Sequence, residues 1–349
     1  MGRRALLLEP GSIVAGQAQA GVVQLDIGFE DSFPNLRFFL PNEHDRLLSC
    51  LRTSNVRATE IHSLVGHSNS VLDVVDDLRT PIDLVIHDYS WFCPRITLTT
   101  GDHRYCGEPP ITTCYACLAD NGPDTDATLP LDRLIDRSRH LIGKARSIVA
   151  ASHDSASRIT HRFGRSVSVR EWEEPSRYAP CITDNEAESR VPVRVCVVGA
   201  IGYEKGYNSL LRCARMAAAA ELPLEFVIVG YTCDDKRLLD TGAVRITGCY
   251  TESEAVELIK EQQADLAWLP SVWPETWSYV LTQIWKAGIY AVVHDIGAQA
   301  ERVRTTGYGA VVPLALPTDR LLDLFLKLAR PNQALKQPHR SGEAPDAYI

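Results

Sequence analysis

A chain of 349 residues exceeds the usual reach of one hydrophobic core, which predicts two domains, each with a core of its own. With 45% hydrophobic and 23% charged residues it has the balance of a folded globular protein and lacks the signature of disorder. A net charge of -8 disfavours nucleic acid as a partner and offers no general attraction to an anionic membrane, so either would need a local basic patch.

No apolar run approaches the ~20 residues needed to span a bilayer, and Ala5 to Leu8 behind Met1 is too short for a signal-peptide core. The expected location is the cytoplasm, with peripheral association at the inner face of a membrane open. The 10 cysteines are too diluted for a disulfide scaffold, and Cys196 sits inside an apolar run as a buried thiol would.

In chain order, the first half predicts strands at Arg3 to Leu8, Leu36 to Leu40, Arg57 to Ile61, Ile82 to His87, Ser147 to Ala150 and Ser166 to Arg170. Helices fit between them at Glu43 to Leu51, Val71 to Leu78 and Leu131 to Ala145. Polar residues from Thr183 to Arg190 interrupt the pattern and mark a domain boundary. From Val193 the alternation is regular. Strands are expected at Val193 to Val198, Glu225 to Val229, Ala243 to Thr247, Asp265 to Leu269, Ile289 to Val293 and Tyr308 to Val312. Helices are expected at Asn208 to Leu222, from a capping box Thr251-Glu-Ser-Glu254 to Gln263, at Trp277 to Lys286 closed by Gly288, and at Asp319 to Ala329.

This pattern predicts an α/β fold of two Rossmann-like domains with parallel sheets facing a cleft. Residues 1–182 form the first, with a cysteine-rich insertion at 93–117; residues 191–330 form the second; 331–349 is a tail without a core-forming pattern.

Two loops of the second half carry chemistry. Gly199-Ala-Ile-Gly-Tyr-Glu-Lys-Gly206 joins a strand to a helix, where amide groups and the helix dipole favour a phosphate, and Lys205 adds a full positive charge. The competing reading is glycines serving tight geometry alone. Pro270 to Tyr279 leaves a strand and enters a helix; Glu275 can accept hydrogen bonds from sugar hydroxyls, and the amides of Thr276, Trp277 and Ser278 can bind a phosphate or hydroxyl. Trp273 and Trp277 read as core aromatics rather than ligand contacts.

The order Gly199…Glu204-Lys-Gly206, Phe226-Val-Ile-Val-Gly230, Gly248-Cys-Tyr250, Pro270-Ser271…Pro274-Glu-Thr276 and Asp295-Ile-Gly-Ala298…Glu301-Arg302 resembles the donor domain of family 4 retaining glycosyltransferases, a bacterial polysaccharide type of the two-Rossmann-domain (GT-B) class. The resemblance implies a UDP- or GDP-linked sugar donor, transfer with retention to a glycan, lipid-linked or protein acceptor, and no cofactor needed for catalysis. It assigns the diphosphate to Lys205, sugar hydroxyls to Glu275 and a donor contact to His87 at the end of its strand. Gly202 and Gly248 would line the donor, and Thr276, Trp277 and Ser278 would touch sugar and phosphate. Two departures stand out. Gln283 occupies the place of a ribose-binding glutamate, which weakens that bond by removing a charge, and Ala200 occupies that of an arginine that shares the diphosphate. The N-terminus also departs, because Arg3 to Leu8 matches the family's second strand and no glycine-rich acceptor loop precedes it. Alternative readings are a non-catalytic nucleotide-sugar-binding domain of a longer protein and a nucleotide-sugar epimerase or phosphorylase on the same fold.

Cys93, Cys106, Cys114 and Cys117, with His103 as a substitute ligand, read either as a structural zinc site or as packed free thiols. Asp124 and Asp126 resemble a metal-binding acidic pair, but their loop composition reads as a solvated turn.

Overall fold

The computed structural model describes residues 5–11, 21–26, 35–124, 129–173 and 192–329. Arg3, Asp126, the expected boundary at 183–190 and the tail from 331 lie outside the described residues. The chain divides into two compact units. One holds the chain to Ile96 with Pro110–Ala150 and Ala156–Val169, and the other holds Thr97–Pro109, Ala151–Ser155 and the chain from Arg170.

The first unit contains two sheets where the sequence predicted one. β1 (Leu7–Pro10), β2 (Val22–Asp26) and β3 (Arg37–Phe39) form an antiparallel sheet in that order, with Leu8 opposite Leu25 and Val23 opposite Phe38. This corrects the expectation of parallel strands at the N-terminus. Strands so close in sequence pair antiparallel, because a parallel pair needs a crossover of about a dozen or more residues. Val23, Leu25 and Phe38 close on Leu47 and Leu51 of α1 (His44–Thr53) and on Val71 and Val74 of the later helix Ser70–Leu78.

The second sheet runs in chain order and is parallel throughout: β4 (Thr59–Ile61), β5 (Ile82–Ile86), β6 (Ser147–Ala150) and β7 (Ser168–Val169). Its crossovers carry α2 (Ser70–Leu78), α3 (Ile111–Asn121), α4 (Leu131–Lys144) and α5 (His153–Phe163). In α4, Leu131, Leu134, Ile135, Ser138, Leu141 and Ile142 are buried, the spacing of one helical face. The expected insertion runs into a helix, α3, none of whose residues is buried, so no apolar stripe announced it.

The second unit is a six-stranded parallel sheet. Its strands are β8 (Val193–Ile201), β9 (Leu224–Thr232), β10 (Val244–Ile246), β11 (Leu266–Leu269), β12 (Ala291–His294) and β13 (Gly309–Val312), in the spatial order β10-β9-β8-β11-β12-β13. Helices α6 (Tyr207–Ala219), α7 (Asp235–Leu239), α8 (Ala255–Glu261), α9 (Tyr279–Lys286), α10 (Gly297–Thr306) and α11 (Thr318–Leu328) join or follow them. Both faces are buried: Val195, Val197, Phe226 and Trp268 pack with Leu210 of α6 and Phe325 of α11, while Cys196, Val198, Ala267 and Val293 pack with Leu281 and Trp285 of α9. Burial on both sides explains why these strands read as unbroken apolar runs. Only half of the expected capping box forms: the Glu254 carboxylate accepts from the Thr251 amide at 2.7 Å, and α8 opens after it at Ala255.

Candidate functional site

Numbered along the unit, the strand order is 3-2-1-4-5-6, the doubly wound arrangement whose direction reverses between its first and fourth strands. Those strands are β8 and β11. Ligands in such sheets bind outside the carboxyl ends at this switch point, where here the loops carrying Lys205 and Glu275 emerge.

The first loop differs from its sequence reading. Gly199, Ala200 and Ile201 continue β8, paired with Gly230, Tyr231 and Thr232, so the turn begins only at Gly202. Gly199 and Gly230 are glycines because the two backbones nearly touch: a Cβ on Gly230, whose φ is +131°, would lie 2.1 Å from the Gly199 carbonyl oxygen. The amides of Gly206 and Tyr207 are taken by the carbonyls of Tyr203 and Gly202, and those of Ser209 and Leu210 by that of Gly206. The expected cradle of open amides at the start of α6 is therefore largely closed on itself, and Lys205 carries the positive charge of this loop.

Gly206 places that lysine. At a φ of +88° it lies so close to the other loop that a Cβ would meet the Pro270 carbonyl oxygen at 1.9 Å. The Val272 amide donates to the Glu204 carbonyl at 3.0 Å and ties the loops together. Lys205 Nζ then donates to Glu275 Oε1 at 2.7 Å and stands 5.7 Å from the Trp273 ring centroid. Glu275 is 5% exposed, whereas the lysine side chain is 34% exposed, so the pair presents its cation outward. Burial pushes the Glu275 carboxyl up, but the Lys205 charge and hydrogen bond, helped by the nearby Ser278 and Ser271 hydroxyls, outweigh it and hold it below the usual range.

The loop after Glu275 is held open. Ser278 has φ +75°, the left-handed region that costs a non-glycine residue about 1 kcal/mol or more. The Trp277 and Ser278 amides bond no other backbone group among the described residues. Arg302, 7% exposed, holds this conformation: it donates to the Ser278 carbonyl at 2.7 Å and to Thr282 Oγ1 at 2.8 Å, and stacks 3.8 Å from the Trp277 ring centroid. Glu173 completes the network, accepting from Trp277 Nε1 at 3.1 Å and lying 3.7 Å from Arg302. Trp277 is thus a buried structural aromatic, as the sequence suggested. Behind Glu275, Gly297 at φ +68° leaves room for Pro274 and the Glu275 amide, each 2.6 Å from where its Cβ would stand, and the Ala298 amide caps the Glu275 carbonyl at 2.8 Å.

The remaining candidates fall as follows. Gly202 begins the Lys205 turn. Gly248 follows β10, its amide bonded to the Gly230 carbonyl at 2.9 Å with open space on its Cβ side. Gln283 lies within α9, its Oε1 buried without a hydrogen-bond partner among the described residues. Thr276 is buried in the loop. His87 directly follows β5 in the first unit. Arg302, Glu173 and Thr282 were missed: Arg302 stands in the quoted Glu301-Arg302 pair, but nothing in the sequence marks Glu173.

Cys93, Cys106, Cys114 and Cys117 form no disulfide, Cys114 and Cys117 stand on α3, and among the described residues no three His, Cys, Asp or Glu side chains converge to hold a metal. His103 instead stacks on Tyr203, with centroids 4.1 Å apart and 10° between planes. Asp124 is not merely solvated: it pairs with the buried Arg95 at 3.0 Å. Among the described residues no helix is long and apolar enough to cross a membrane.

Fold and site together define an α/β protein of the GT-B glycosyltransferase architecture. It is similar to the Anabaena protein HepE solved with UDP-glucose, at 14% identity and a TM-score of 0.51 over 81% of this chain and 71% of that one. It is also similar to sucrose-phosphate synthase from Thermosynechococcus elongatus, at 14% identity and a TM-score of 0.53 over 84% and 69%, and to the lipopolysaccharide outer core galactosyltransferase WaaB, at 13% and 0.51 over 82% and 70%. Residues 184–340 match the family described as glycosyl transferases group 1. A search of curated proteins finds no match.

Proposed function

We propose that the protein transfers a sugar from a UDP- or GDP-linked donor, with retention of anomeric configuration, to a glycan, lipid-linked or protein acceptor. The observation that carries this reading is the Lys205–Glu275 pair at the switch point, 2.7 Å long with its cation outward. An arriving diphosphate takes Lys205 as its counter-ion, which stabilises the charge that develops as the carbon–oxygen bond breaks. Glu275, released from the lysine, accepts hydrogen bonds from sugar hydroxyls, and the amides of Trp277 and Ser278 face the phosphate. The buried Gln283 Oε1 supports a ribose contact, since a buried acceptor without a donor is costly and a ligand hydroxyl would satisfy it. This chemistry requires no metal or cofactor. The family match and the UDP-glucose bound by HepE support the donor class. A cytoplasmic protein working at the inner face of a membrane fits a lipid-linked acceptor.

The test is nucleoside diphosphate release from UDP- and GDP-sugars. The wild type turns over at least one donor, and Lys205→Ala and Glu275→Ala lower its rate about 100-fold or more while melting shows them folded. Donor binding without release would replace this reading with a binding module, and an altered sugar on intact nucleotide with an epimerase.

A further inference from the structure

In the second unit, β8 and β9 run past the helices that cover them. Val198 and Val229 are buried with Leu281 and Ile284 of α9, but two residues further on the paired Ala200 and Tyr231 are both exposed. Tyr231 leaves 46% of its surface open at the carboxyl edge of a central strand. Tyr203 in the Lys205 loop is exposed too, yet it already stacks on His103, whereas among the described residues no ring or cation covers Tyr231.

The groups around this phenol are small. Gly199 and Ala200 lie opposite Gly230 and Tyr231, and the Gly248 amide donates to the Gly230 carbonyl at 2.9 Å, which brings the turn after β10 against the residue before Tyr231. A Cβ on Gly248 would meet nothing within 4 Å, and one on Gly199 would meet only Val280 of α9, at 3.7 Å. One aromatic ring thus stands on a shelf that is otherwise mostly backbone, the kind of surface to which a flat ring can approach closely.

The place of the shelf selects the ring. Lys205 turns from the end of β8 towards the loop after β11, where it meets Glu275, while the shelf extends from that same end towards β10. Neighbouring strands stand ~4.8 Å apart, so the turn after β10 lies about 10 Å across the edge from β8. A nucleoside diphosphate carries its charge at one end and its flat base at the other, with a ribose between them. We infer that Tyr231 stacks on the nucleobase of the donor beside Gly248, and so sets how tightly the nucleotide is held. This inference rests on the nucleotide-sugar reading for its ligand. Every base has a π-face, so stacking adds affinity without choosing between uridine and guanosine nucleotides.

The test separates base from charge. Titration calorimetry of the full chain compares UDP and GDP with inorganic pyrophosphate, for wild type, Tyr231→Ala and Tyr231→Phe. Tyr231→Ala should weaken the nucleotide that binds by about 10-fold or more and leave pyrophosphate as it was, while Tyr231→Phe keeps the wild-type affinity. In proton spectra of the bound nucleotide, the base protons should move upfield with wild type and Tyr231→Phe, and stay in place with Tyr231→Ala. Because Tyr231 is exposed, the three proteins should melt together. Unchanged nucleotide affinity in Tyr231→Ala, equal weakening of nucleotide and pyrophosphate, or unmoved base protons would overturn the inference. A loss in Tyr231→Phe as large as that in Tyr231→Ala would replace stacking with a hydroxyl contact, and a wild type that binds neither nucleotide would remove the base site altogether. Should Tyr231 govern nucleotide affinity while no donor gives up its sugar, the transferase reading fails and the platform stands. Transfer that proceeds with donor affinity indifferent to Tyr231→Ala has the opposite meaning.

Discussion

The two units build their sheets from similar strand-forming residues but bury them differently. In the second, β8 and β9 run nine residues each and place side chains on two covered faces, with Phe226, Trp268 and Phe325 meeting at centroid distances of 5.4 to 6.4 Å. In the first, strands of two to five residues are divided between an antiparallel and a parallel sheet. The second unit thus has two long central strands and a core on both faces to support strained loops such as that at Ser278, while the first offers a short-stranded edge bearing His62 and His87.

This difference can be broken by truncation. Trp268→Ala removes a fully buried ring and lowers the stability of the second unit by about 4 kcal/mol, whereas Phe38→Ala, 7% exposed, costs the first about 2–3 kcal/mol. Calorimetry would show each variant moving a different transition. Equal shifts of a single transition would mean that the two sheets melt as one.

The next largest effect sharpens what the switch point needs. Gly206→Ala sets a Cβ against the Pro270 carbonyl and should cost more than about 3 kcal/mol while separating Lys205 from Glu275. Gly248→Ala has a similar φ, +91° against +88°, but meets nothing within 4 Å, and should cost about 1 kcal/mol of backbone strain alone. Equal losses in urea unfolding would remove the steric argument.

These residues show what was legible in the sequence. The second sheet was readable because burial on two faces leaves continuous apolar runs, and Lys205 and Glu275 because each sits where a run ends. The extension of β8 through Gly199 was not, because glycines signal a turn unless one knows that Gly230 approaches from the next strand. Glu173 was illegible for a similar reason: its partners Trp277, Thr282 and Arg302 are more than a hundred residues away. The antiparallel start escaped notice because β2, Val22–Asp26, is short and mixes apolar with polar residues.

Acid tests the thick core against itself. His294 ends β12, 4% exposed, and burial lowers its pKa to about 4. Unfolded, it takes a proton near pH 6.5, so the stability from keeping it neutral is present above pH 6.5 and lost as pH falls towards 4. The loss amounts to about 3 kcal/mol. His294→Leu should be flatter than wild type across that window in urea midpoints, and parallel curves would show that the imidazole is hydrated.

The smallest effect concerns Ala151–Ser155, which follow β6 in the chain but pack with the second unit. Glu301 of α10 accepts the His153 and Asp154 amides at 2.9 and 2.8 Å, bringing its charge close to the Asp154 carboxyl. Burial and then that charge raise Asp154 to about 6, against a smaller opposing bond from the Gly297 backbone. A carboxyl raised in the folded state contributes stability below its unfolded pKa of 3.8 and loses it as pH rises through about 6. At pH 7 the folded carboxylate is therefore held at a cost that Asp154→Asn removes. After discounting for partial exposure, the variant should gain on the order of 1 kcal/mol over wild type between pH 4 and pH 7. A gap constant with pH would mean that Asp154 is solvated, and that Glu301 serves this segment only as a cap for its two amides.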